Sequence, residues 1–243
     1  MGHGYLQQPA ARNVLRGTDY CLNNGGAWAA FGSGMDRRTP CGDAPGQDRF
    51  LVRGEEGYAG VAGTYASGGT LTAKVQLTAN HLGRWGLALC PSENETVQCF
   101  DAHPLLQTGT GQRWVGVAGG QMSFGANFAL PHVPPGAYTL QWTYWTANSC
   151  RYPGMQPPFT QSDLPVCFQS GAVPEVFENC ADLVITGGVS PKPKPEPKPE
   201  PKPTPKPPKK PLPFTPPGLE GCVRGAGWYR PGLGRKCLRV PGY

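Results

Sequence analysis

Hydrophobic and polar residues alternate along several short stretches of the chain. In TLTAKVQL the apolar side chains fall at Leu71, Ala73, Val75 and Leu77, with Thr, Lys and Gln between them. A period of two places one apolar row on one face of a strand, so this segment is predicted to be a half-buried strand ending near His81. RWGLALCP predicts a second short strand, after a bend at Gly83. YTLQWTYWTAN sets Tyr138, Leu140, Trp142 and Tyr144 on one side of a third, and CADLVITG reads as the closing one. Turn clusters such as YASGG and PPGAY separate these runs. No periodicity supports a helix of more than two or three turns, although GTDYCLNNGGAWAAF has room for a short one. Short strands at this spacing predict a mainly β fold, an antiparallel β-sandwich with long loops.

The pattern stops near residue 190. Residues 191–217, PKPKPEPKPEPKPTPKPPKKPLPFTPP, hold much of the proline and almost no apolar side chains, so no core forms there. An extended polyproline II spacer of roughly 80 Å is expected, at about 3.1 Å per residue. The chain then divides into a main domain over 3–190, a Pro/Lys-rich linker over 191–217 and a small basic tail over 218–243. In the tail Cys222 and Cys237 flank Trp228 and Tyr229 among four Arg. One cystine would staple so small a unit, and aromatics beside Arg suit a glycan.

Charge follows the same division. Residues 1–190 carry ten Arg/Lys against thirteen Asp/Glu, and the remainder twelve against three. The basic excess therefore belongs to linker and tail, and the slightly acidic main domain gives no footing for nucleic acid. Nine cysteines without a CxxC pair argue against a zinc ribbon and for a disulfide-bonded, exported protein. Proximity along the chain pairs Cys21 with Cys41 and Cys90 with Cys99. Cys150 and Cys167 then compete for Cys180, and one of the seven cysteines in the main domain is left over. Asn94-Glu95-Thr96 has the form of a glycosylation acceptor. No apolar run is long enough to span a membrane, and Met1-Gly2 is no export signal, so the expectation is an export segment removed ahead of His3.

Chemistry has few candidates. There is no G-x-S-x-G and no H-E-x-x-H, and a paired-carboxylate site is unsignalled. Of the four histidines, His3, His81, His103 and His132, the first has a special property if the chain is processed to begin there. A terminal histidine offers its α-amino nitrogen, with a pKa of about 8, and its ring Nδ1 to one metal. One more imidazole completes three nitrogens in a plane, a donor set that favours Cu(II). His81, His103 and His132 could each supply it. His81 lies at a predicted strand end, whereas FDAHPLL and LPHVPPG read as structural or surface settings for the other two.

Four segments carry a resemblance. HGYLQQPAAR is similar to the HG-x-L-x-x-P-x-x-R opening of mature lytic polysaccharide monooxygenases. LTANHLGRWGLALCP resembles the segment with their second copper histidine, above all in auxiliary activity family fifteen. LQWTYWTANSC and PEVFENCADLVI resemble that group's core strand and closing motif. The matches are in order and span residues 3–185. The resemblance implies an immunoglobulin-like or fibronectin-like sandwich, one copper ion, an external electron donor, and O2 or H2O2 as co-substrate. His3 and His81 would form the histidine brace. Ala79 matches the small residue that crowds one axial position, and Phe177 the aromatic that shields the other. Tyr is expected there in many family-fifteen members, so Phe177 is closer to the bacterial family-ten variant. Glu175 matches a position that orients the oxygen co-substrate, and Tyr5 is the candidate aromatic contact to the polymer.

Two departures flank this face. Cys150 stands where a Trp is expected, and residues 151–175 form a longer and different connection. The implied reaction is oxidative: hydrogen is abstracted at C1 or C4 of a glycosidic linkage, and the hydroxylated carbon eliminates. The expected partner is an insoluble polysaccharide, chitin first and cellulose second, acted on by a secreted monomer. With Met1 and Gly2 in place, the His3 nitrogen is an amide, so the active species is expected to begin at His3. The alternatives are a non-catalytic polysaccharide-binding protein, marked by polymer pull-down without copper dependence, and a copper-binding protein that does not oxidise glycans, marked by tight copper without turnover.

Overall fold

A computed structural model describes residues 3–17, 22–169 and 171–188. The proposed linker and tail, with Cys222 and Cys237, and also Cys21, lie outside the described residues. Nine strands form among the described residues: β1 (Gly4–Gln8), β2 (Gly63–Ala66), β3 (Thr70–Leu77), β4 (Gly83–Pro91), β5 (Leu106–Gln107), β6 (Val115–Val117), β7 (Ser123–Ala129), β8 (Gly136–Trp145) and β9 (Val176–Thr186). They make a four-stranded sheet in the order β1-β3-β7-β5 and a five-stranded sheet in the order β2-β9-β8-β4-β6. The helices are short: α1 (Arg12–Leu15), α2 (Ala27–Phe31) and α3 (Val97–Ala102). The α2 helix falls in the segment with room for one. No helix among the described residues is long and apolar enough to cross a membrane.

The two sheets face each other across one apolar core, as in an immunoglobulin-like sandwich. Leu71, Ala73, Val75 and Leu77 of β3 meet Trp85, Leu87 and Leu89 of β4 and Tyr138, Leu140, Trp142 and Tyr144 of β8. The alternation read along β3 is therefore the core-facing row. One pairing departs from the antiparallel expectation: β2 lies parallel to β9, with Gly63 opposite Leu183 and Ala66 opposite Thr186. The long segment before β2 lets the chain enter that edge in the same direction as β9.

Both faces of β9 are covered, which is why its strand pattern is hard to read. Phe177, Ala181, Leu183 and Ile185 belong to the sandwich core, and Asn179 accepts the Leu6 N–H at 3.1 Å to bridge the sheets. The intervening residues meet the segment between β1 and β2: Cys180 clusters with Leu22, Cys41, Phe50 and Leu51. The disulfides follow from this arrangement. Cys90–Cys99 is as expected, but Cys41 bonds Cys180, and Cys150 bonds Cys167. Pairing Cys21 with Cys41 by nearness in sequence is thus wrong. Cys180 points from β9 toward the loop that carries Cys41, so sheet register decides the partner across 139 residues.

The same outer face holds a buried ion network. Arg12 donates from Nε to Asp182 Oδ2 at 3.0 Å, and from Nη2 to Asp182 Oδ1 and Glu95 Oε1, both at 2.5 Å. It also reaches the Phe50 carbonyl at 2.7 Å. Desolvation opposes the charge on Arg12, but the two carboxylates outweigh it and hold its pKa above the ordinary value. This pairing joins the first and last strands: Arg12 follows β1 and Asp182 lies in β9.

Candidate metal centre

His3 immediately precedes β1, and β1 pairs with β3 so that Gly4 is opposite Leu77. The Thr78 N–H donates to the His3 carbonyl at 3.3 Å, which brings His3 beside the turn that carries His81. Glycine at position 4 eases this approach. A Cβ there would lie 2.5 Å from Leu77 Cδ2 and 3.3 Å from the Trp142 ring. The His-Gly pair thus has a steric reason: a larger residue would displace the Leu77 side chain and crowd the Gln76 carbonyl and Trp142.

His81 is held by its backbone. Its N–H donates to Tyr144 Oη at 3.0 Å, and the Tyr144 hydroxyl donates to the Leu82 carbonyl at 2.7 Å. The Ala147 N–H donates to the His81 carbonyl at 3.0 Å. Burial raises the Tyr144 phenol well above its ordinary range, so it stays a donor. After His81 the chain reverses through Leu82 (φ 57°) and Gly83 (φ 103°). A side chain at Gly83 would meet the Trp145 carbonyl oxygen at 2.1 Å.

These constraints place the two histidine rings 4.6 Å apart, edge to face. Phe177, fully buried, lies 4.9 Å from the His3 ring and 5.8 Å from that of Tyr144. Glu175 Oε2 is 3.7 Å from His81 Nδ1, beyond hydrogen-bond reach, and that buried nitrogen has no hydrogen-bond partner. One donor atom from each of His3, His81 and Glu175 lies within 4.8 Å of the others. Burial lowers the His81 pKa first, the neighbouring His3 lowers it further, and Glu175 opposes them. The neutral imidazole, the form that has a lone pair for a metal, is favoured.

Of the residues singled out from sequence, His3, His81, Glu175 and Phe177 converge. Ala79 is half-buried in the bend between β3 and His81. Tyr5 is half-exposed between buried Gly4 and Leu6, so it faces away from the core. His103 Nδ1 instead meets the Cys99 carbonyl at 2.9 Å. Its neighbours Cys90 and Cys99 are a cystine and offer no thiolate. Asn23 was not anticipated: its Nδ2 donates to Glu175 Oε1 at 2.8 Å. Nor was the fastening role of Tyr144. Neither has a sequence signal, since both act through contacts distant along the chain.

The family model described as "Lytic polysaccharide mono-oxygenase, cellulose-degrading" matches residues 3–183. The chain belongs to the lytic polysaccharide monooxygenases. A solved family-fifteen lytic polysaccharide monooxygenase from Thermobia domestica, in the Cu(I) state, superposes with a TM-score of 0.59 at 23% identity, covering 75% of this chain and 98% of that one. A family-ten lytic polysaccharide monooxygenase from Streptomyces lividans matches at TM-score 0.44 and 14% identity, over 75% and 99%. No curated protein sequence matches. As a lytic polysaccharide monooxygenase the protein is a copper-dependent enzyme that uses a reductant with O2 or H2O2 and acts on insoluble polysaccharide. The residues present fit copper: two adjacent imidazoles, with His81 favoured in its neutral form, sit on an apolar floor.

Proposed function

We propose that His3 and His81 hold one copper ion as a histidine brace, and that the centre cleaves chitin in preference to cellulose. The observation that carries the brace is the 4.6 Å approach of the two rings above buried Phe177. His3 contributes its α-amino nitrogen and Nδ1, which requires a chain that begins at His3. His81 turns its Nδ1 edge to Glu175, leaving Nε2 as its donor. Glu175, held in place by Asn23, lies 3.7 Å from that edge and acts on His81 through its charge, with no hydrogen bond between them. Phe177 closes the inner side of the site and offers no competing donor, and Ala79 keeps the opposite approach narrow. Tyr5 is a contact to the polymer surface. Bound copper, reduced by an external donor, supplies the oxidation of a glycosidic carbon by O2 or H2O2. The cystines accord with a secreted protein acting outside the cell. Asn94, exposed beside the Thr96 cap of α3, is the glycan acceptor.

The test uses protein that begins at His3, loaded with copper and incubated with ascorbate and either chitin or cellulose. Mass spectrometry is expected to find oxidised oligosaccharides from chitin, fewer from cellulose, and none with His81→Ala. Equal products from the His81→Ala protein would overturn the brace. Products from cellulose alone would overturn the substrate order.

A further inference from the structure

Beside the metal centre is an apolar cleft of about 680 Å³ that the copper chemistry does not use. Phe31 and Trp145 line it, and Trp28 and Phe168 rise from it into solvent, 73% and 54% exposed. Helix α2 accounts for Trp28: it buries Ala30 and Phe31 against Val176 and turns Trp28 outward. Phe168 is held out at greater cost. Its φ of 64° is in the left-handed region, which bulky side chains rarely adopt. Hydrogen bonds impose it, from the Phe168 N–H to the Ala172 carbonyl at 2.7 Å and from the Cys167 N–H to the Arg151 carbonyl at 2.9 Å, beside the Cys150–Cys167 cystine. This conformation sets the Phe168 ring edge-on to Phe31 at 5.3 Å and to Trp145 at 6.2 Å while leaving half of it in water, an aromatic wall open to a ligand. This is the connection, residues 151–175, in which the chain departs from the family pattern.

The cleft and the centre share one stretch of chain. Val173 lines it and packs with Phe31 against Val176, and Glu175, between them in sequence, faces His81. The occupant must therefore suit an enzyme of polysaccharides. The C–H face of a pyranose ring stacks on an aromatic ring while its hydroxyls stay hydrated, and Ser33 and Asp36 supply polar groups at the rim. A crystalline face is flat and does not enter a cleft, whereas a single chain does. We propose that this cleft is a subsite for one β-1,4-linked polysaccharide chain, with Trp28 and Phe168 stacking on sugar rings away from the oxidised bond.

This proposal rests on the polysaccharide reading of the centre, but its test reads no turnover. Copper-loaded protein beginning at His3 is titrated calorimetrically with the hexasaccharides of N-acetylglucosamine and of glucose. The expected result is binding of at least one, weakened about tenfold or more by Trp28→Ala and by Phe168→Ala and largely kept by Trp28→Phe. The copper spectrum and thermal midpoint of each variant should match those of the parent. Which hexasaccharide binds more tightly names the polymer. Unchanged affinity in both alanine variants would overturn the subsite, as would a parent that binds neither sugar. A loss of affinity accompanied by an altered copper spectrum would also overturn it, by placing the effect at the centre. Failure to oxidise chitin leaves this measurement intact, so the two readings fail separately.

Discussion

Gly4 and Glu175 act on the centre from opposite sides. Gly4 sets how closely the chain carrying His3 approaches β3, so Gly4→Val should push His3 away from His81. Copper affinity and thermal midpoint should both fall, and calorimetric copper titration with a melting curve checks this. Glu175 acts through His81. Glu175→Ala should weaken copper binding by up to about tenfold, the low end for a neighbour of a metal ligand, because Glu175 acts on His81 without a hydrogen bond. Glu175→Gln should recover part of it, and equal affinity in all three proteins would leave Glu175 without a positioning role. The sequence makes His3, His81, Phe177 and Glu175 visible because each occupies a fixed offset within a recognisable motif. Asn23 and Trp28 occupy none: Asn23 meets Glu175 only because two distant loops fold together, and Trp28 differs from a core aromatic only by facing out.

At the level of elements, β1 and β9 are fastened by Arg12, whose role also explains two motif positions otherwise silent. The Arg of the opening motif and the Asp of the closing motif bind each other. Removing one partner of a buried pair leaves a stranded charge, so Arg12→Ala should cost about 3–5 kcal/mol in urea unfolding. Arg12→Lys should recover little, because an ammonium cannot span Asp182, Glu95 and the Phe50 carbonyl at once. Alternation revealed the core-facing row of β3, since only one of its faces is buried, but it set the strand's end near His81, which lies in the turn beyond the true end at Leu77. It placed the start of the last strand at Cys180 instead of Val176, because Glu178 and Asn179 are polar residues buried on opposite faces and break the period. The partner of Cys180 was illegible for the same reason: it depends on what covers the second face.

For the whole molecule, one buried carboxyl links stability to pH. Glu178 is enclosed between Asn24 and Arg38, and burial pushes its pKa up to about 7, against the lowering effect of Arg38 and Asn24. Between the ordinary value of 4.5 and about 7 the folded protein keeps a proton that the unfolded chain has released. Stability should therefore fall as pH rises through that window. Urea midpoints taken from pH 4.5 to 8 should show this slope, and Glu178→Gln should flatten it. The claim on which the rest depends is that His3 and His81 share one copper. Electron paramagnetic resonance of the Cu(II) protein tests it most directly. Protein beginning at His3 should give a tetragonal signal coupled to three nitrogens, and the signal should lose that pattern in His81→Ala or when Met1-Gly2 is retained. The same three-nitrogen signal in all three proteins would contradict the brace.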